Sequence, residues 1–444
     1  MCSQHENHSS SSSSSKNQTT KNGKRNELDI PDWETIDLPP DHVLSHLTDA
    51  HCHPTDLTHP PEVYDKVKLG GLASMATIVE DQDKVRELSE ERGWYTARSK
   101  GKGKEGHGVG VVACFGYHPW FTHLYTLSST PPSKEQHYFS LFSPKSQNHQ
   151  TLLKELLPYL PEPKPFKPLL EKLRNDITRS KDEGRMTMLG EVGLDGSARM
   201  RWPKKAKHLH PDYKDKSQKG EEGDGEEEEE EWKRLTPFKV PMSHQRAIVE
   251  RQLDLAVELD VNVSLHSVAC AGPSLETLIS MRDRHGVRFT NNINVDIHSA
   301  GGWSPDFWEQ AERNLLNIYA SPSIFITGRS PTASSLISKI SKDRLLVESD
   351  SHDVRLSDRL VWAATEWIAR CKKWKLEGRD RHPDDDDGEQ VKEWDLQDGG
   401  DEEEEDQFDE KGRLKKVKEA EQDTWTVRTL ERNWRRFMRI DEVV

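Results

Sequence analysis

Eight short apolar runs punctuate the chain, at 47–52, 71–77, 109–116, 186–195, 261–266, 295–298, 323–328 and 344–350. Most of the segments between them carry apolar residues at helical spacing. Val85 and Leu88 share one face of a polar stretch ending near Arg92, and 169–181 and 274–284 have the same rhythm. So does the segment holding Ala247, Ile248, Leu253, Leu255, Ala256 and Leu259. Residues 122–150 read as an inserted loop, and Trp362, Trp367 and Trp374, at helical spacing, as core. Strands alternating with helices predict a parallel α/β array, and eight such units close into a TIM (β/α)8 barrel.

Barrels of that kind carry their chemistry at the C-terminal ends of the strands. His51 and His53, Glu191, His266, His298 and Asp350 each fall at the end of an apolar run. His51 and His53 are two residues apart in an extended stretch, so they project to the same side. Neutral imidazoles suit divalent ions such as Zn, and a carboxylate can bridge two cations. Together the six residues could hold up to two ions, which would lower the pKa of a shared water and clamp a phosphoryl displacement. Cys52, between two of them, reads as small core filling. His118, before Pro119, is a turn residue that could also touch substrate.

Composition sharpens this picture in two places. The apolar share of 32% is low and the charged share of 32% is high. Residues 221–231 hold nine acids and no bases, and residues 380–410 hold seventeen acids against Arg381 and Lys392. Without these two runs the formal charge of −15 becomes +9, a basic body able to accept a polyanion. The predicted organisation is a disordered polar segment over 1–44 and one barrel over 45–440, with acidic inserts at about 205–235 and 380–415. Five scattered cysteines form no CxxC pair, and no apolar run is long enough for a membrane span. The Ser-rich start lacks the apolar core of a signal peptide. The expectation is therefore an intracellular protein, of cytoplasm or nucleus, with no membrane contact.

The sequence resembles the TatD-type metal-dependent hydrolases of the amidohydrolase superfamily. The likeness is carried by His51-Cys52-His53, Gly190-Glu191-Val192-Gly193-Leu194-Asp195, Leu265-His266-Ser267, His298-Ser299-Ala300-Gly301 and Val347-Glu348-Ser349-Asp350-Ser351. Phe115-Gly116-Tyr117-His118-Pro119, residues 245–259 and Arg432-Asn433-Trp434 add to it. The resemblance implies a TIM barrel in which His51, His53, Glu191 and Asp350 bind one divalent ion (Mg, Mn or Zn). Glu191 would bridge to a second ion held by His266 and His298. Asp350, with Glu191, would be catalytic, Asp350 as the proton acceptor for attack by a metal-bound hydroxide. The activity implied is that of a phosphodiesterase or deoxyribonuclease acting on DNA ends.

Three departures bear on substrate. Val268 stands where the family usually has Arg, His352 where it has Pro, and the approach to His298 is rich in Asn. These look closer to a fungal subgroup described as interacting with a subunit of the anaphase-promoting complex. That implies a protein partner in a cell-cycle ubiquitin-ligase complex, and a catalytically weak or inactive barrel as the alternative to a nuclease. Hydrolysis of a different ester or an amide is a third reading, since the same ions polarise carbonyls.

Overall fold

The computed structural model describes residues 30–95, 108–213, 234–380 and 424–440. Seven strands form one sheet, parallel throughout and in chain order. They are β1 (Thr48–Cys52), β2 (Gly71–Met75), β3 (Gly110–Phe115), β4 (Thr187–Asp195), β5 (Val263–Val268), β6 (Val295–His298) and β7 (Ile318–Ser321). The main helices between them are Gln82–Arg92, Phe166–Asp182, Met242–Leu259, Ala271–His285, Pro305–Asn314 and Ala333–Lys339. β1, β2, β4, β6 and β7 are buried at every position, as strands covered on both faces must be.

Residues 345–350 close the ring without forming a regular strand. Leu346 N donates to Ala320 O of β7 at 2.9 Å, and Ala50 N of β1 donates to Val347 O at 2.9 Å. Asp350 N donates to His51 O at 2.9 Å. The ladder is interrupted because the Asp49 carboxylate takes the Ser349 N–H at 2.9 Å, where a backbone carbonyl would otherwise sit. The result is the expected (β/α)8 barrel, its eighth stave an extended segment.

The expected strand at 323–328 is corrected. The seventh strand is Ile318–Ser321, and 323–328 is a turn running into the short 3-10 helix Thr327–Arg329. Ser323 N donates to Thr327 Oγ1 at 3.1 Å and Gly328 N to Ser323 O at 3.2 Å, so the backbone satisfies itself locally. The expected loop at 122–150 is corrected too. It contains helices Lys134–Phe142 and Gln147–Leu156, begun by Ser133 (with Gln136, a capping box) and Ser146. With the antiparallel ribbon Arg199–Arg201/Leu235–Lys239 they form a small lobe around Tyr138, Leu153, Leu156, Met200, Trp202 and Phe238.

The disordered segment expected over 1–44 is corrected from residue 30 onward. Ile36 is buried, Trp33 stacks edge-on against Phe325 with ring centroids 5.3 Å apart, and Trp362 Nε1 donates to Asp37 O at 3.1 Å. Residues 1–29, and 214–233 and 381–423 of the acidic inserts, lie outside the described residues.

Two apolar layers hold the barrel. One lies between sheet and helices and includes Trp303, Trp308, Trp362, Trp367 and Trp374. The other fills the barrel axis with Ala50, Ala73, Met75, Val112, Cys114 and Met188, closed from below by Trp434 and Phe437. Those two come from helix Thr426–Met438, which Asn262 and Asn294 grip by donating to Phe437 O. With the floor plugged, polar groups converge only at the opposite end, where the strands finish.

Candidate metal centre

At that end the six expected residues meet. Glu191 lies midway along β4, and a register shift between Leu189 and Val192 accompanies its turn toward the axis. Its Oε1 lies 2.8 Å from His266 Nδ1 and 2.9 Å from His298 Nε2. Its Oε2 lies 3.5 Å from His53 Nε2 and 3.8 Å from His51 Nε2. Asp350 Oδ1 is 3.5 Å from His53 Nε2 and 3.8 Å from His51 Nε2. The Asp350 backbone is left-handed at φ 51°, a conformation aspartate tolerates better than most residues and one that turns its carboxylate inward. One carboxylate thus faces two pairs of imidazoles, one pair per oxygen.

The outer nitrogens fix which inner nitrogens carry lone pairs. His51 Nδ1 meets Ser264 Oγ at 2.7 Å, and His266 Nε2 meets Asp195 Oδ2 at 3.3 Å. His298 Nδ1 faces Glu348 Oε1 at 3.7 Å. Rings that donate outward present bare nitrogens inward. His51 Nε2 then stands 3.2 Å from His53 Nε2, and His266 Nδ1 stands 3.2 Å from His298 Nε2. Lone pairs at that spacing repel unless something positive lies between them.

Buried Glu191 Oε2 and Asp350 Oδ1 have no hydrogen-bond partner in the described structure. The proton affinities tell the same story. Burial works against ionising Glu191, but His118 and His298 outweigh it and hold the carboxyl well below the usual range. Burial likewise works against charge on His53, His266 and His298, yet the carboxylates around them raise all three. His51, buried and beside His298, is pushed down. A cluster that gathers protons in this way is a place for cations, and the donor set of imidazoles and carboxylates fits divalent ions. His51, His53 and Asp350 form one group able to hold an ion.

His118 also comes within reach, in a second group with Glu191 and His266. Its hydrogen bonds argue against ligation. His118 Nδ1 accepts from Trp120 N at 3.2 Å, so the neutral ring carries its proton on Nε2. That atom faces Glu191 Oε1 at 3.2 Å, within reach of an electrostatic contact but not aligned for a hydrogen bond. Burial pushes the His118 pKa down to about 4, keeping the ring neutral.

Several groups at the site had no role assigned from sequence. Asp195 ends β4, holds His266, and accepts from Trp120 Nε1. Its place at a strand end was the available signal. Below the centre, Glu348 accepts from Ser299 and Ser321, and Ser321 also bonds Asp296 at 2.7 Å. Burial pushes Asp296 up to about 8 and Asp49 up to about 7. His352 stacks on His53 with ring centroids 5.3 Å apart, and Asp56 fixes its Nδ1 at 2.7 Å. The proline position of the family pattern is thus occupied by an oriented imidazole.

A plugged parallel barrel with imidazoles and a shared carboxylate at its open end defines a metallohydrolase-like class of site. The chain belongs to the TatD related DNase family, whose description matches residues 48–381. Over 363 residues it is 26% identical to Cut9-interacting protein scn1 of Schizosaccharomyces pombe, covering 75% of this chain and 95% of that protein. Over 233 residues it is 24% identical to Uncharacterized deoxyribonuclease YMR262W of Saccharomyces cerevisiae, covering 52% and 59% of the two chains. A solved TatD homologue from Escherichia coli is 14% identical, covers 74% of this chain and 91% of that one, and superposes with a TM-score of 0.36. No helix among the described residues is long and apolar enough to cross a membrane.

Proposed function

We propose that this protein is a metal-dependent phosphodiesterase that hydrolyses DNA from its ends. The observation that carries the reading is the convergence of unpartnered Glu191 Oε2 and Asp350 Oδ1 on inward-facing imidazole nitrogens. His51, His53, Glu191 and Asp350 would hold one ion, and Glu191, His266 and His298 a second. Bound there, divalent ions supply Lewis acidity to a phosphoryl oxygen and a low pKa to the attacking water. The protein's own groups do the rest. Asp350 takes the proton at Oδ1, Ser264 aims His51, and Asp195 aims His266. The deciding experiment incubates the full chain with single- and double-stranded oligonucleotides and Mg, Mn or Zn, against EDTA. Metal-dependent end trimming that Glu191→Gln abolishes is the expected result; no cleavage with any metal overturns the reading.

One observation favours a second reading, an interaction protein that keeps the barrel: the similarity to Cut9-interacting protein scn1 of Schizosaccharomyces pombe, which runs over 95% of that protein's length. It becomes the better account if wild type is inert while a captured protein partner binds wild type and Glu191→Gln alike.

A further inference from the structure

We infer that His352 is a positioning residue for His53: its ring, stacked on that of His53, supplies the orientation that no hydrogen bond supplies there. The inference rests on the metal-dependent reading of the site and adds how one of its ligands is aimed.

His53 differs from the other imidazoles of the centre. His51 Nδ1 has Ser264 Oγ at 2.7 Å, His266 Nε2 has Asp195 Oδ2 at 3.3 Å, and His298 Nδ1 faces the Glu348 carboxylate at 3.7 Å. His53 Nδ1 is buried and meets no hydrogen-bond partner among the described residues. The last torsion of a histidine side chain is broad, so a ring without an outer contact can swing about its Cβ–Cγ bond. A swing of roughly 20° already spoils the geometry of a metal ligand.

Neighbouring rings stop that swing. His51 meets His53 edge-on, with centroids 5.1 Å apart and planes at 70°. His352 lies across the His53 ring, with centroids 5.3 Å apart and planes inclined by 29°. A closed loop of contacts holds this second pair. His53 N donates to Ser351 O at 2.8 Å, which sets the backbone of residue 352 beside it. Asp56 N donates to His53 O at 3.1 Å, and the Asp56 carboxylate lies 2.7 Å from His352 Nδ1. The ring stack completes the loop. His352 cannot turn without leaving Asp56, and His53 cannot turn without meeting His352. The same loop ties the segment of Asp350 to that of His53, whose Oδ1 and Nε2 lie 3.5 Å apart. His352 Nε2 has no hydrogen-bond partner among the described residues and belongs to none of the candidate ligand groups there. The ring therefore acts through its plane and not through a nitrogen.

The test compares wild type, His352→Ala and His352→Phe, the last keeping a ring but no ring nitrogen. Cobalt(II) affinity is measured by titration against a chelator, and the visible absorption of the saturated protein reports the geometry around the ion. His352→Ala should bind about tenfold more weakly and with an altered absorption band, while His352→Phe should stay within about twofold of wild type. Circular dichroism in EDTA should be the same for all three, which separates a lost brace from a lost fold. Should His352→Ala unfold, the affinity of His352→Phe decides alone. Two results overturn the proposal: His352→Ala that binds the ion as wild type does, or His352→Phe that falls tenfold or more, since a nitrogen would then be the active part. Wild type that binds no divalent ion overturns the metal centre itself, and this role with it.

Discussion

Asp195 Oδ2 lies 3.3 Å from His266 Nε2, on the far side of the ring from the Nδ1 that faces Glu191. The carboxylate fixes the tautomer, so the nitrogen turned to the centre is the one with the lone pair. Asp195→Asn keeps the shape but halves the acceptor capacity. It is expected to weaken divalent-metal affinity 10–100-fold, measured by titration against a chelator. Unchanged affinity would remove Asp195 from the support of the site.

Asp350→Asn tests the proton acceptor. Asparagine accepts the left-handed backbone at that position, so the melting temperature should hold. Metal-dependent hydrolysis should fall by about 10²–10⁴, the span for loss of a general base. A variant with full activity would take Asp350 out of the proposed mechanism.

Gly193 lets β4 and β5 come together. Its φ is 149°, and a Cβ there would stand 2.1 Å from His266 O, a backbone atom that cannot step aside. Gly193→Ala should cost about 3 kcal/mol or prevent folding. Gly272→Ala, on a helix with nothing within 4 Å of the added carbon, should instead stabilise by roughly 0.5–1 kcal/mol. Urea denaturation of both variants checks the contrast, and equal midpoints would refute it.

Two buried histidines, His123 and His137, and the half-buried His244 brace the turn that carries His118 and Trp120. His123 bonds Trp120 O at 2.9 Å, His137 bonds His123 O at 2.9 Å, and His244 bonds Thr122 O at 2.9 Å. Burial pushes His123 down to about 4 from 6.5, and His137 and His244 are also lowered, chiefly by burial. A depressed histidine contributes its full stability above pH 6.5 and loses it as pH falls toward 4, because only the unfolded chain binds the proton. The His123 share is on the order of 3 kcal/mol. Denaturation in EDTA between pH 7.5 and 4.5 should therefore show a shallower acid loss for His123→Gln than for wild type. Identical slopes would show that His123 titrates normally.

Most of the centre was legible because a barrel gathers its strand ends. Residues spread from 51 to 350 could be assigned to one place once eight apolar runs were counted. What failed was local. Residues 318–321 and 323–328 are apolar alike, and periodicity cannot say which pairs with β6; the Ser323–Thr327 bond, which ties the second run into a turn, leaves no trace in hydropathy. The capping box at Ser133 and Gln136 was present in the sequence and marked a helix where a loop was expected. Asp195 and Trp120 act through partners distant in sequence, so spacing could not assign them. The apolar count also missed the packing of residues 30–44, because its partners are distant in sequence: Trp33 packs on Phe325, and Ile36 O accepts from Arg359 of a helix 323 residues later.

The two longest internal stretches outside the described residues share one property. The chain departs at 213 and returns at 234, where Trp202 N donates to Arg234 O at 2.8 Å. It departs again at 380 and returns at 424, where Lys375 N donates to Thr424 O and Thr426 N to Lys375 O, each at 2.9 Å, and Glu377 caps the helix that plugs the floor. Each excursion is stitched shut at its base. Doubling or halving a loop so closed changes its entropy by only about 0.6 kcal/mol. Both acidic tracts can therefore lengthen, shrink or change charge over evolutionary time almost without cost to the barrel, as ports for variation that leave the imidazoles where they are.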